Sequence, residues 1–560
     1  MLRLVPAGAF LVLIGPVLAG LLGAALPAFG YLPAIGGKTL SLGPLADLAA
    51  MPGLLRSCLL SLMIGLITTA ISYAIVVAFV AGWRGSRLFR AMERLVSPLL
   101  SVPHAAAAFG LAFLIAPSGF LVRLVSPWAT GWQRPPDILI VNDPLGLAMM
   151  AGLIVKEIPF LLLVSLAALP QIRATEFGHV TASLGYGRVA GFVYGVLPAL
   201  YRQIRLPVFA VLAYATSVVD VALILGPTTP PPLAVRILQW QSDPDLGMRF
   251  VAASGALLQL AVTGLGLVIW VSGEKAAVRL CAVLHATGRR GRNDKVWRHL
   301  AVTLMSASAF VVLAGIALLA LWSISGLWRF PEILPDGYGF KVWMRSLPGL
   351  ALPLANAVII GIASSLAATV IALGALEYEA RAGLTPTIRA LVALYLPLLV
   401  PQIAFLLGLN VVFTWAHLDG RLVALVLVHL VFVFPYVLLS LADPWRAWDR
   451  RYGLMARALR HGPDAVFWRI RLPMLLRPVL TAAAVGFAVS IGLYLPTLLI
   501  GAGRWPTITT EAVALAAGGD RRVIGATALL QALLPFAGFA LALAVPALLF
   551  RDRRAMRPAA

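Results

Sequence analysis

A chain of 560 residues that is 61% apolar and only 12% charged, with a mean hydropathy of +0.94, is too greasy and too poor in charge for a soluble globular protein and reads as a membrane protein. Its formal charge of +22 would suggest nucleic acid in a soluble chain, yet no basic run is interleaved with stacking aromatics, so no nucleic-acid partner is expected. Two cysteines, Cys58 in an apolar run and Cys281 in a basic segment, cannot make a disulfide framework, and with no CxxC or histidine cluster neither a metal nor another cofactor is indicated.

The first element follows Arg3: an apolar run over 7–29, close to the roughly 20 residues that cross a ~30 Å hydrocarbon core. The apolar core of a cleaved signal peptide is shorter, about 7 to 15 residues, so a retained first helix is expected. Further runs of spanning length lie near 57–81, 95–116, 146–169, 207–226 and 250–273, and then near 301–323, 350–376, 389–416, 420–442, 475–500 and 523–550. That is six plus six. The alternative, fewer spans with a re-entrant segment, is centred on 389–442, where the turn at Ala416 to Gly420 is short.

With the first helix entering from the cytoplasm, the cytoplasmic loops hold 30 of the 44 Lys and Arg, the external loops 13, and Lys156 lies inside a span. Cationic loops resist translocation, so both termini are expected in the cytoplasm of a multi-pass inner-membrane protein. Residues 274–300 carry seven Lys or Arg and a GRRGR cluster. This segment is either a solvated cytoplasmic linker or a lipid or partner contact.

A polar, basic, Gly-bearing stretch, FGHVTASLGYGRVAGFVYGVLP at 177–198, returns as YGLMARALRHGPDAVFWRIRLP at 452–473, an offset of 275. Pro103, Gly110 and Leu111 match Pro401, Gly408 and Leu409 at an offset of 298, and Pro159-Phe160 matches Pro435-Tyr436 at 276. The change of about 22 marks an insertion in the first half between the third and fourth spans. Matches that agree on register indicate duplication and fusion, the halves being related by an axis along the membrane normal.

The recurring loop resembles the cytoplasmic signature E-A-A-x3-G-x9-I-x-L-P of the membrane-spanning subunits of binding-protein-dependent, type I ABC importers. In the first copy the signature Gly falls on Gly185 and the closing pair on Leu197 and Pro198, while His179, Val180 and Thr181 replace Glu-Ala-Ala and Gly195 replaces Ile. In the second, Ala456, Ile470, Leu472 and Pro473 keep the pattern, Leu454 replaces the Glu and Arg460 the Gly. Fused permeases of about twelve spans occur among the ferric iron and thiamine importers of this class, and the chain is similar to that subgroup over roughly 55–275 and 350–550. The resemblance implies an all-α fold of two homologous six-helix halves, two cytoplasmic ATPase subunits gripping the loops, and a periplasmic binding protein delivering solute at 227–249 and 501–522.

Physically, a short helix with a Gly turn and a closing Leu-Pro can act as a rigid lever across two span ends. Arg188, Phe192 and Tyr194 in one copy, and Arg457, Phe467, Trp468 and Arg469 in the other, can fill a groove on a soluble partner. The alternative is a basic amphipathic loop lying on anionic lipid. No bond chemistry is expected of the chain itself. Gly36-Gly37-Lys38-Thr39 lacks the first Gly of a phosphate loop, Leu32 standing there, in an external segment without a strand-loop-helix pattern.

Lys156 and Glu157 in the fourth span and Asp220 in the fifth are expected at one depth, about 20 Å up at 1.5 Å per residue, where Lys156 and Asp220 can face each other. They either line the path of a charged substrate or form a buried pair fixing two helices. Leu495 is the counterpart of Asp220. His104 and His429 are expected packed or water-facing, and Glu377 and Glu379 solvated at a span end.

The expected organisation is a first helix with its external loop (1–55), a first permease domain (56–273), the basic linker (274–300), a seventh helix with its loop (301–349), a second permease domain (350–550) and a basic cytoplasmic tail (551–560). The rival class is a secondary transporter of six plus six helices coupled to an ion gradient. Carriers of the major facilitator kind have G-x3-D-[RK]-x-G-R between the second and third spans, whereas this chain has GWRGSRLFRAMER there.

Overall fold

Inside a bilayer a backbone has no water to bond, so each crossing segment must close its own hydrogen-bond ladder. The computed structural model of the chain describes residues 2–385 and 387–551, and these form helices joined by loops, with two isolated β-bridges and no strand. Its main elements in chain order are α1 (Val5–Ala28), α2 (Leu54–Trp83), α3 (His104–Ile115), α4 (Leu147–Ala168), α5 (Ala174–Ser183), α6 (Leu197–Ser217), α7 (Asp220–Leu225) and α8 (Met248–Ala286). The second half continues with α9 (Lys295–Ile324), α10 (Lys341–Ala382), α11 (Ile388–Leu399), α12 (Gln402–Trp415), α13 (Leu422–Arg446), α14 (Arg450–Ala458), α15 (Leu476–Gly492), α16 (Leu495–Gly501) and α17 (Arg521–Leu549). Among the described residues ten helices are long and apolar enough to cross a membrane, and two sharply bent pairs raise the number to twelve.

Four spans expected to be continuous are broken. The runs 95–116 and 389–416 stop at Val102-Pro103 and Val400-Pro401, and α11 meets α12 at 86°. A proline cannot donate to the ladder and forces the residue before it into extended backbone, as seen at Val102 (ψ 124°) and Val400 (ψ 126°). The runs 207–226 and 475–500 break between α6 and α7 and between α15 and α16, the same place at an offset of 275. The carbonyls so freed find partners from the last span of each half. Gln259 Nε2 of α8 donates to Thr216 O at 3.2 Å. In the second half Gln531 Nε2 of α17 donates to Thr509 Oγ1 at 2.8 Å, and that hydroxyl donates to Ile491 O.

The sixth span runs past its expected end at 273 to Ala286, and α9 begins at Lys295, so the expected linker 274–300 is helical except over 287–294. The basic tail beyond Arg551 lies outside the described residues.

Packing repeats as well. In the first half α2 packs on α4 and α6; in the second α10 packs on α13 and α15. The first helix of each half crosses to the other: α1 lies on α12, and α9 lies on α3 and α2. Glycine makes both crossings possible. A Cβ on Gly408 would sit 1.9 Å from Gly20 O, one on Gly23 2.4 Å from Gly408 O, and one on Gly110 2.7 Å from Gly315 Cα. Gly110 and Gly408, the matched glycines of the repeat, are therefore where the exchanged helices touch their hosts.

Candidate functional site

The two recurring loops lie at one end of the bundle. Gln171, three residues before α5, reaches Asp443 in the last turn of α13, seven residues before α14, through Nε2 to Oδ2 at 3.4 Å. Each loop is a short helix, a left-handed turn, a four-residue helix (Arg188–Gly191 or Pro463–Val466) and a π-helical turn (Phe192–Val196 or Phe467–Arg471). The closing Leu-Pro then supplies the first two residues of the next helix, Leu197 and Pro198 of α6, or Leu472 and Pro473. Proline is tolerated there because the first amides of a helix have no internal partner. Gly185 takes the left-handed turn at φ +80°, and Arg460 takes the matching one at φ +63°, a conformation that disfavours a side chain by about 1–2 kcal/mol. α14 is capped by Asp449, whose carboxylate accepts from Arg451 N, and the Arg451 side chain bonded to it holds that carboxyl below the usual carboxylate range.

Both short helices present an apolar stripe to the outside. Phe177, Val180 and Leu184 on the first are exposed, and so are Tyr452, Met455 and Leu459 on the second, the same three positions shifted by 275. The spacing i, i+3, i+7 puts three residues on one helical face. Leu459 is 74% exposed and Trp468 65%, so apolar surface is held out at this end rather than packed. Arg188, Arg457 and Arg469 are exposed beside it. Gly185, Leu197, Ile470, Leu472 and Pro473 are half-buried and Pro198 is exposed.

Beyond these, four more predicted loop residues face inward or are partly covered, Tyr194 being half-buried beside the Tyr186 ring. Phe192 is only 6% exposed, Ala456 is buried, and Phe467 is half-buried against Trp445; Phe192 supports its loop from within instead of offering a ring to a groove. The stripes were absent from the expected residues, although their helical spacing was readable. So was the pair Glu377-x3-Arg381. Glu377 is not solvated as expected: it is buried, accepting from Arg381 Nε at 2.7 Å and from Arg471 Nη1 at 2.9 Å. Glu379 pairs with Arg446 at 2.7 Å.

Deeper in the bundle the predicted charges separate into two sets. Lys156 does not face Asp220: its ammonium donates to Val102 O at 2.6 Å, Leu99 O at 3.1 Å and Leu100 O at 3.4 Å, satisfying the carbonyls exposed where the third span breaks. Glu157 lies 3.6 Å from His104 Nε2. Asp220 opens α7 and interacts electrostatically with His104 and with Tyr494, while Tyr214 and Tyr436 are within electrostatic reach of Glu157. Tyr436 and Tyr494 come from the second half and the rest from the first, so this polar group straddles the junction between halves. His429 is buried, between Ser490 Oγ (2.8 Å) and Thr497 Oγ1 (3.0 Å), and pins the break between α15 and α16.

Comparison with known proteins places this architecture. No family model matches the chain. It is 29% identical over 138 residues, 22% of its length, to the molybdenum transport system permease protein ModB of Mycobacterium tuberculosis and of Mycobacterium bovis, covering 52% of each. It is 33% identical over 469 residues, 82% of either chain, to the inner membrane ABC transporter permease protein YnjC of Escherichia coli K12. With two related halves, ten to twelve helices among the described residues long and apolar enough to cross a membrane and this extent of identity, the chain belongs to the inner membrane ABC transporter permeases.

Proposed function

We propose that the chain is the whole membrane pathway of an ATP-driven importer, its two permease domains corresponding to 56–273 and 350–550. The loop end faces the cytoplasm together with both termini. Two ATPase subunits seat on α5 and α14, and a periplasmic binding protein delivers solute at the opposite end, over 227–249 and 501–522. The observation that carries this reading is the pair of exposed apolar stripes at matched positions on one end of the bundle. A repeated, register-matched apolar face suits two copies of one partner surface, with exposed Arg188 and Arg457 at its rim.

Closure of the ATPases then moves α5 and α14. Each loop runs through its π-helical turn directly into α6 or toward α15, the helices whose breaks border the polar group between the halves. Glu157, Asp220, His104, Tyr214, Tyr436 and Tyr494 line the path in this reading. Lys156 stays with the backbone carbonyls of the broken third span.

The test is to replace Leu184 and Leu459 by Asp, singly and together. The double variant is expected to insert normally, lose co-purification of its ATPase and abolish ATP-dependent uptake. Unchanged co-purification and uptake would reject the docking. Uptake that survives ATP depletion and collapses with the proton gradient would instead establish the ion-coupled alternative.

A further inference from the structure

The two loops are braced differently, and the difference involves the connection between halves. In the second half the brace comes from the host domain. Arg381 at the end of α10 donates to Asp464 Oδ1 at 2.8 Å and to Pro463 O, while Glu377 holds Arg471. In the first half the only counterpart among the described residues is Arg84, just past α2, which donates to Thr175 Oγ1 at the start of α5 at 3.0 Å; the end of α2 itself, IVVAFVAGW, has no Glu, Asp, Lys or Arg to reach the left-handed turn or the helix after it.

The connection 287–294 takes that place. Arg290 Nη1 donates to Leu184 O, and Arg292 Nε donates to Gly185 O at 3.2 Å. Gly187 N donates to Arg290 O at 2.9 Å, and Val189 N donates to the buried carboxylate of Asp294 at 3.0 Å. Arg298, near the start of α9, lies 3.9 Å from that carboxylate and donates to Gly82 O at 3.1 Å, closing the circuit to α2. Backbones touch: a Cβ on Gly187 would lie 2.1 Å from Gly291 O. Carbonyls at the end of α5 and an amide at the start of the next helix are both satisfied from the connection, the two helix ends that otherwise lack partners.

We infer that residues 290–298 are a positioning element for the first ATPase-coupling loop, doing from outside the domain what Glu377, Arg381 and Arg471 do inside the second. The inference rests on the coupling role proposed above. It makes the connection a working part: displacement of α5 is passed both to α6 and, through Asp294 and Arg298, to α9, which lies on α2 and α3.

The experiment uses the full chain reconstituted with its ATPase in vesicles. Gly187→Ala leaves the backbone unstrained, since Gly187 has φ −62°, but its methyl displaces the connection. Asp294→Asn and the exposed double change Arg290→Ala with Arg292→Ala weaken the contact from the other side. The two changes in the connection, which lies outside the loop, are expected to retain the ATPase and its basal hydrolysis. Solute moved per ATP should fall about fivefold for the loss of roughly one net hydrogen bond, and tryptic cleavage at Arg289 should quicken by a similar factor. Rapid cleavage with unchanged solute per ATP overturns the positioning role, and unchanged cleavage in all three variants overturns the docked connection. Failure of the unaltered chain to retain an ATPase would instead sink the coupling reading, a distinct result.

Discussion

The Arg471 guanidinium is clamped on four sides: Nη1 on Glu377 at 2.9 Å, Nη2 on Trp445 O at 2.8 Å, and its plane within 4.4 Å and 4.9 Å of the Trp445 and Trp448 rings. A planar fork stacked on aromatics is a geometry that lysine cannot reproduce. Arg471→Met should therefore cost about 3 kcal/mol, the loss of two charge-assisted hydrogen bonds, to Glu377 and to Trp445 O, with Glu377 keeping Arg381 as its partner. Arg469→Met, on the same turn but exposed, should leave the thermal midpoint in detergent unchanged and act only on ATPase retention. Equal loss of midpoint in both variants would show that the clamp contributes nothing special. Arg469 is among the residues expected to dock, but the role of Arg471 was not legible from spacing, because the two are separated by one residue in a π-helical turn whose phase departs from 3.6 residues. Glu377 was misplaced for a related reason: its local partner Arg381 is one turn away, but Arg471, which buries it, is 94 residues on.

Among the elements, the apolar runs overlap each of the ten to twelve candidate membrane helices of the described residues, with shifted bounds at 104–125 and 188–217, and the prolines at 103 and 401 carry their own signal for a break. The break after Gly492 has Pro496 at the start of α16 as a similar signal, whereas the break after Ser217 has none, because what permits it is a glutamine on another helix. The same distinction separates Lys156 from Asp220. Equal depth in two adjacent spans made them a plausible pair, yet three carbonyls from a broken third span are nearer to the ammonium than any carboxylate is. Helix crossings show the reverse case, a sequence match whose cause appears only in three dimensions. Gly408 aligned with Gly110 by register, and both turn out to admit an exchanged helix. Small residues at such crossings let backbones approach and supply packing that lipid cannot. Gly408→Leu should thus separate α1 from α12 and destabilise the protein by on the order of 3 kcal/mol, read as a lower midpoint. Gly264→Leu on α8, with nothing within 4 Å of its Cβ, should not. A Gly408→Leu protein as stable as its parent would mean that α1 does not lie in this groove.

At the scale of the molecule, the exchange of first helices means that neither half is self-sufficient. Without the second half α1 loses α12, and the Gly20 and Gly23 face, cut to fit a backbone, meets lipid across a gap. Without the first half α9 loses α3 and α2. Duplication was readable from three offsets, 275, 276 and 298, but exchange was not, since the first helices share no motif and their pairing is a property of the closed assembly. It follows that residues 1–286 and 287–560, each expressed alone, should be degraded or aggregate. Co-expressed from the same cell they should assemble into a stable pair, because both crossings can form between separate chains and the connection stays attached to α9. Co-purification through a tag on either piece measures this directly. A stable, correctly inserted 1–286 fragment would show that α1 folds back on its own half, and the exchanged arrangement would then have to be given up.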